Sequence, residues 1–156
     1  MIGNHKLISD TSLTATFTVP YEKGALRAIG IRDGKEMESK VLQTTGPFTR
    51  LILEPEMTTI DADRSEIAYI GLMAADDQGR EVPVNDISVT VEISGEGELL
   101  AAGSASPTIQ GSFTDPAVPL FRGRALIIVR SSGEPGNISI HAECKGLEAE
   151  TTIQTL

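Results

Sequence analysis

Clustered carboxylates are the first residues in this sequence that could do chemistry, because hard cations prefer several oxygen ligands held close together. Asp61, Asp63 and Glu66 form such a cluster, but the segment lacks the glycine and the distal glutamate of a helix–loop–helix calcium site. The run from Asp76 to Gly79 has the residue types of a tight turn, which needs no ion. We therefore expect the solvated start of a strand and a turn at these positions, and no metal site.

Histidine, serine and cysteine form no catalytic pattern either. His5 and His141 have neither a second histidine nor a cysteine nearby, as a zinc site requires. Serines beside glycines occur at 94–97 and 103–106, without the strand–turn–helix context of a nucleophile elbow. The single cysteine, Cys144, excludes an internal disulfide and falls on an apolar register, so we expect it in the core. The sequence predicts no catalytic, cofactor-binding or metal-binding residue and no cofactor.

Aromatic side chains offer the remaining candidates for recognition. The chain has two tyrosines, four phenylalanines and no tryptophan, whereas sugar-binding surfaces use exposed rings as stacking platforms. Phe17 and Tyr69 lie on predicted core registers. Phe113 lies within a long polar loop at 103–119 and Phe121 follows it, and both are our candidates for a contact with another domain or a sugar. We favour the interpretation that they fasten this loop to the sandwich or to another domain.

The charge balance excludes two classes of partner. The formal net charge is −9, and lysine and arginine are scattered singly, so a phosphate backbone or an anionic membrane would be repelled. No apolar run approaches the ~18 residues of a transmembrane helix. The first residues also lack the basic region and apolar stretch of an export signal.

Two-residue periodicity dominates the chain and predicts an all-β protein. Apolar residues alternate with polar ones at 13–19, 87–93 and 138–144, each typical of a half-buried strand. Asp33-Gly34 between two strand-like runs predicts a hairpin, because its two-residue turn needs positive φ at both positions. No window shows a helical period. Further strands are predicted at 25–32, 35–45, 48–53, 66–75, 99–100, 125–129 and 148–155.

The strand count suggests one complete module and one incomplete module. Residues 55–156 hold about seven strands in about a hundred residues, the size of one immunoglobulin-like β-sandwich. Residues 1–54 hold about four, so we interpret them as the C-terminal part of an upstream immunoglobulin-like module. A partial sandwich of this kind leaves strand edges unpaired.

Several segments resemble the C-terminal region of glycoside hydrolase family 2 β-galactosidases. The likeness runs from about Thr16 to the C-terminus and depends on the order and spacing of its motifs. One departure is Ser104-Ala105-Ser106-Pro107, where such domains commonly carry an Asn-Gly-Asp-Pro turn. The segments that carry the resemblance are 17–21, 24–28, 33–35, 44–47, 60–63, 67–70, 77–83, 89–99, 121–125 and 142–149.

The resemblance implies a non-catalytic accessory domain of a bacterial, periplasmic or extracellular glycosidase. Such an enzyme cleaves its substrate with two carboxylates of a catalytic barrel, and this chain would have no activity of its own. The implied partners are the catalytic and upstream domains of the same polypeptide, with self-association through the incomplete module as another outcome. Two alternatives remain: a carbohydrate-binding module, and an immunoglobulin-like repeat of a surface adhesin. An adhesin array would show a repeat at fixed period, and residues 1–54 and 55–156 do not repeat each other.

Overall fold

The computed structural model describes Gly3 and residues 14–108 and 111–156. It divides the chain into two compact units, Met1–Thr44 and Thr45–Leu156. His5 and Leu13 lie outside the described residues. No helix occurs in the described part of the chain, which agrees with the all-β prediction.

A single β-hairpin forms the described core of the first unit. Strand β1 (Ala25–Arg32) pairs with β2 (Lys35–Gln43) in antiparallel fashion, with one register shift after Gly30. Asp33 and Gly34 make the turn with φ of 51° and 73°, as the two-residue loop requires. The predicted hairpin is confirmed.

The strand predicted at 13–19 is wrong for the residues that the structure describes. Residues 14–22 form no strand, and Phe17 is 50 % exposed instead of buried. Alternation only indicates which side chains share a face; a strand also needs a neighbour for its N–H and C=O groups. The hairpin strands β1 and β2 pair with each other and with no other described strand.

Two sheets build the second unit. One sheet has the order β3-β5-β9-β7, and the other has the order β4-β11-β10-β6-β8. All pairs are antiparallel except β4 with β11. The strands are β3 (Arg50–Pro55), β4 (Thr59–Ile60), β5 (Ile67–Ala75), β6 (Ser88–Gly95), β7 (Gly97–Ser104), β8 (Ala117–Pro119), β9 (Arg124–Ser131), β10 (Gly136–Cys144) and β11 (Leu147–Thr155).

This strand order is that of an immunoglobulin-like sandwich. Taken in chain order with the short edge strands β4 and β8 omitted, the first sheet is A-B-E-D and the second is G-F-C. The predicted fold class is therefore confirmed for this unit. The long loop expected at 103–119 is shorter than predicted, because β7 continues through Ser104 and β8 begins at Ala117.

The boundary between the units differs from the sequence-based one. The structure separates the units after Thr44, ten residues before the predicted boundary at 54. Strand β3 lies in the second unit because it pairs with β5 from Arg50↔Ala75 to Pro55↔Ile70. The interpretation of the first segment as part of an upstream module stays a prediction.

The core lies between the two sheets and is almost entirely aliphatic. Ile70, Ile127, Ile138 and Ile140 are completely buried, and Cys144 is 4 % exposed, as its register predicted. Burial raises the pKa of the Cys144 thiol. Tyr69 is the exception to the predicted core: Ala68 and Ile70 point inward, so Tyr69 is half-buried on the outer face of β5.

One buried carboxylate organises the loops after β5. Asp76 is completely buried and accepts the backbone N–H groups of Gly46 (2.8 Å), Gln78 (3.0 Å) and Arg80 (2.9 Å), as well as the Arg80 guanidinium at 2.8 Å. Burial alone would raise the pKa of Asp76, but these hydrogen bonds together hold it well below its usual range. The predicted turn at 76–79 is present, and its first residue also fixes the start of the second unit.

Candidate interaction surface

The two outer faces of the sandwich differ in chemistry. On the five-stranded sheet, His141 lies directly between Glu92 and Glu150, and Glu143 lies beside Glu148. Further positions of this face carry threonine, serine, asparagine and glutamine. This is the ordinary pattern of an antiparallel sheet that faces water on one side.

The outer face of the four-stranded sheet is apolar instead. Register pairs Ile52 with Met73, and Tyr69 with Ile128, all on the side opposite the core. Leu126 is 41 % exposed in the middle of this face, and Leu100 is 37 % exposed at the register shift of β7. We call the following six residues the outer apolar face: Ile52, Tyr69, Met73, Leu100, Leu126 and Ile128.

Two ion pairs border the outer apolar face at opposite ends of β9. The Arg124 guanidinium donates to both carboxylate oxygens of Glu81, and the Arg130 guanidinium donates to Glu98 on the neighbouring strand. The hydrogen bond from Arg124 lowers the pKa of Glu81, and Glu81 in turn raises the pKa of Arg124. Both arginines of β9 thus have partners within the domain.

A shallow depression of about 250 Å³ lies at the end of this face nearest Arg124. It exists because Gly71 has no side chain between Met73 and Leu126, and Glu54 and Arg124 form its polar border. A Cβ at Gly71 would approach the Glu54 backbone oxygen at 3.6 Å and the Glu54 Cβ at 4.0 Å, both ordinary contact distances. The depression is lined mainly by apolar atoms and is open to solvent.

Phe113 borders the outer apolar face. The Phe113 carbonyl accepts the Ala102 N–H at 2.6 Å, and its ring lies 3.1 Å from where a Cβ on Gly103 would stand. Gly103 pairs with Leu126, so the ring covers the same side of the sheet as that leucine. Phe113 remains 54 % exposed. A contact of Phe113 with another domain or a sugar stays a prediction.

Phe121 has different surroundings. It is half-buried in the turn before β9, where its N–H donates to the Arg124 carbonyl and the Arg122 guanidinium lies 5.7 Å from the ring centroid. A second shallow pocket, about 270 Å³, is formed by Phe121 with Asn85, Asp86, Pro119 and Leu120. The predicted contact of Phe121 with another domain or a sugar likewise stays a prediction.

The acidic positions considered in the sequence do not converge. Asp61 is exposed, and Asp63 accepts the Ser65 N–H at 2.7 Å, which lowers the pKa of Asp63. Within residues 14–108 and 111–156, no three His, Cys, Asp or Glu side chains are arranged to hold a metal ion. The described part of the chain also contains no helix long and apolar enough to span a membrane.

The outer apolar face was missed by sequence reasoning, although a signal for it exists. Residues 67–75 and 125–129 are apolar at nearly every position, which is typical of strands covered on both faces. One of those faces is the core, and the other is the outer apolar face.

Comparison with known proteins identifies the family. The family described as glycoside hydrolase family 2 C-terminal domain 5 matches residues 51–153, which is most of the sandwich unit. The chain belongs to this family. A second family, described as a domain of unknown function (DUF4982), matches residues 1–38.

The relatives are bacterial glycosidases of much greater length. The chain is 24 % identical over 136 residues to the β-galactosidase BoGH2A of Bacteroides ovatus, which covers 87 % of this chain and 16 % of that protein. It is 27 % identical to a β-galactosidase of Thermoanaerobacter pseudethanolicus, again covering 16 % of the relative. A crystal structure of a family 2 glycosyl hydrolase from Bacteroides cellulosilyticus superposes with a TM-score of 0.86 at 30 % identity, over 90 % of this chain and 18 % of that one. The chain thus spans about a sixth of the proteins it matches, and it corresponds to their C-terminal domain.

Proposed function

We propose that this chain is a non-catalytic accessory domain of a β-galactosidase-type glycoside hydrolase, and that it packs on and supports the catalytic portion. The observation that carries the proposal is the match of the sandwich to a C-terminal domain family, over about a sixth of proteins described as β-galactosidases. If the matched part lacks the catalytic carboxylates, the activity of the relatives must come from residues outside it.

The arrangement of the carboxylates supports this division. A glycosidase places two carboxyl groups on either side of the scissile bond, about 5 Å apart in retaining enzymes, with the bond enclosed between them. Glu143 and Glu148 are direct cross-strand neighbours, but they stand exposed on the open outer face of a sheet. Asp76 is committed to four donors in the sandwich interior. Neither arrangement can flank a sugar ring.

Hydrolysis assays test the proposal directly. The purified chain is expected to show no turnover of nitrophenyl β-galactoside above the rate of a heat-denatured sample. The longer polypeptide that contains this chain should hydrolyse the substrate, and deleting residues 45–156 from it should lower its thermal stability or its activity. Turnover by the purified chain, or a deletion without any effect, would contradict the proposal.

The hairpin unit supports a place within a larger assembly. An isolated two-stranded hairpin is at best marginally stable in water. Ile31, Met37 and Leu42 are 68 %, 66 % and 64 % exposed on this one. We propose that further strands of the same module, in the longer polypeptide, cover these side chains. Light scattering of the purified chain checks this, because uncovered apolar strands should cause association that increases with concentration. A monomer whose hairpin amides are protected from hydrogen exchange would refute the proposal.

A further inference from the structure

The outer faces of the two sheets can be compared within the same sandwich. Both sheets are antiparallel apart from the short edge strand β4, and both have one face on the same core, yet only the five-stranded sheet has a polar outer face. We propose that the outer apolar face of the four-stranded sheet is the surface on which this domain packs against the glycosidase portion of the same polypeptide. This inference rests on the proposed function and adds to it the surface that makes the contact.

Nothing in the sandwich itself requires an apolar outer face. Residues such as Leu126 and Leu100 are more than a third exposed, so they add little to the core. A contiguous exposed apolar patch with a polar border is typical of an interaction site, whereas single exposed apolar residues are normal. Here Leu100 and Leu126 are the exposed members, and the half-buried residues adjoin one another across strands, Ile52 with Met73 and Tyr69 with Ile128.

The composition matches that of a protein interface. Such interfaces have an apolar centre enriched in tyrosine and methionine, with charged residues at the border. Tyr69 and Met73 lie on β5, one of the two central strands of the sheet, and the ion pairs of Arg124 and Arg130 lie at the two ends of β9. These two arginines already have carboxylate partners, so they need no compensating charge from the docked surface. The depression above Gly71, toward the Arg124 end of the face, can receive one apolar side chain of that surface.

The choice of occupant follows from the chemistry of the face and from the relatives. A sugar platform presents exposed rings, but Tyr69 is half-buried with Ile128 as its cross-strand neighbour, and Phe113 supplies a single exposed ring at the border. The relatives contain this domain within single polypeptides about six times longer than the match. A surface in the same polypeptide therefore has a high effective concentration, which favours contact with that surface over contact with a second copy of the chain.

Hydroxyl-radical footprinting tests the proposal with residues that the two faces already contain. Met73 and Tyr69 report on the outer apolar face, and His141 reports on the polar face of the other sheet. In the longer polypeptide, oxidation of Met73 and Tyr69 should fall several-fold relative to the isolated chain, while oxidation of His141 stays unchanged. Equal oxidation in both samples, or protection of His141 alone, would overturn the assignment of the face. The accessory function is judged separately, from the activity and stability of the deletion variant.

Matched variants sharpen the test. Leu126→Arg places a charge on the outer apolar face, and Thr90→Arg places the same charge at an exposed strand position of the polar face. Circular dichroism of the isolated chains should show both variants folded, since both positions reach solvent. In the longer polypeptide, Leu126→Arg should restore the oxidation of Met73, and Thr90→Arg should not. If Leu126→Arg fails to fold, the wild-type footprint still decides the matter.

Two other occupants would give different results. Protection of Met73 that grows with the concentration of the isolated chain would identify a second copy as the occupant. Protection by galacto-oligosaccharides would identify a sugar site. Either result contradicts the proposal.

Discussion

Adjacent residues of β9 give the most direct test of the strand register on which the outer apolar face depends. Ile127 is completely buried between the sheets, whereas Leu126 is 41 % exposed on the opposite side. Truncation to alanine removes three carbons from either isomer. The two variants therefore lose the same number of carbon atoms and differ chiefly in where those atoms lie.

The expected losses in the free energy of unfolding follow from burial. Three buried carbons correspond to about 2.4 kcal/mol of transfer free energy, at ~0.8 kcal/mol each. Ile127→Ala also leaves an enclosed cavity, which raises the loss to ~3–5 kcal/mol. The leucine side chain of Leu126 is only about three fifths buried, so its truncation loses about that share of the transfer free energy. Water can fill the space left, so we expect Leu126→Ala to lose about 1–1.5 kcal/mol of the free energy of unfolding. In a domain of this size these values correspond to a fall in Tm of roughly 12 °C or more against ~5 °C.

Urea unfolding of the isolated chain measures the difference. The chain has no tryptophan, so far-UV circular dichroism and tyrosine fluorescence report the transition, with Tyr69 as the tyrosine that lies in the sandwich. A loss for Leu126→Ala that equals or exceeds that for Ile127→Ala would refute the reasoning. Because side chains alternate between faces, that result would mean that β9 is shifted by one residue and that the outer apolar face is misassigned.

Four further predictions concern single groups of the sandwich. The pKa of Asp76 is lower in the folded chain than the value of about 3.8 in the unfolded chain, so the ionised carboxylate stabilises the fold fully above that value and progressively less below it. The urea midpoint of the wild type should therefore drop more steeply between pH 5 and 2 than that of Asp76→Asn. Gly123→Ala should cost at least ~3 kcal/mol, because φ is +80° and the new Cβ would lie 2.1 Å from the Val82 carbonyl oxygen. Gly79→Ala, with φ of +76° and open space, should cost only ~1 kcal/mol when both glycine variants are compared by urea unfolding. Cys144, buried and with a raised pKa, should react with a thiol reagent only after unfolding; rapid labelling of the native chain would contradict its placement.

Local rules were sufficient wherever the structure depends on neighbours in sequence. Asp33-Gly34 specifies its hairpin because positive φ at two successive positions is a property of those residues alone. The strand around Ile140 was predicted together with its inward register, because regular alternation names the buried face. Cys144 followed from the same register.

Long-range pairing explains the predictions that were wrong. The alternation around Phe17 gives no information on whether a partner strand exists, and the described residues there form no strand. Tyr69 was placed inward because residues 67–75 are apolar on both faces, and such a strand has no polar side to fix its orientation. The pairing of β3 with β5 joins segments separated by a turn and by β4, and no local signal records it.

The misplacement of Tyr69 and the outer apolar face have one physical origin. When a strand is apolar on both faces, its sequence does not show which face points to the core. A two-sheet sandwich buries only one of these faces, so the other needs a further partner. β5 and β9, central in the four-stranded sheet, carry this surplus, whereas β6 and β10, central in the five-stranded sheet, alternate cleanly. An ambiguity of register in the sequence thus indicates a requirement for a second partner. The residues that make β5 hard to orient are those that we expect to face the rest of the glycosidase.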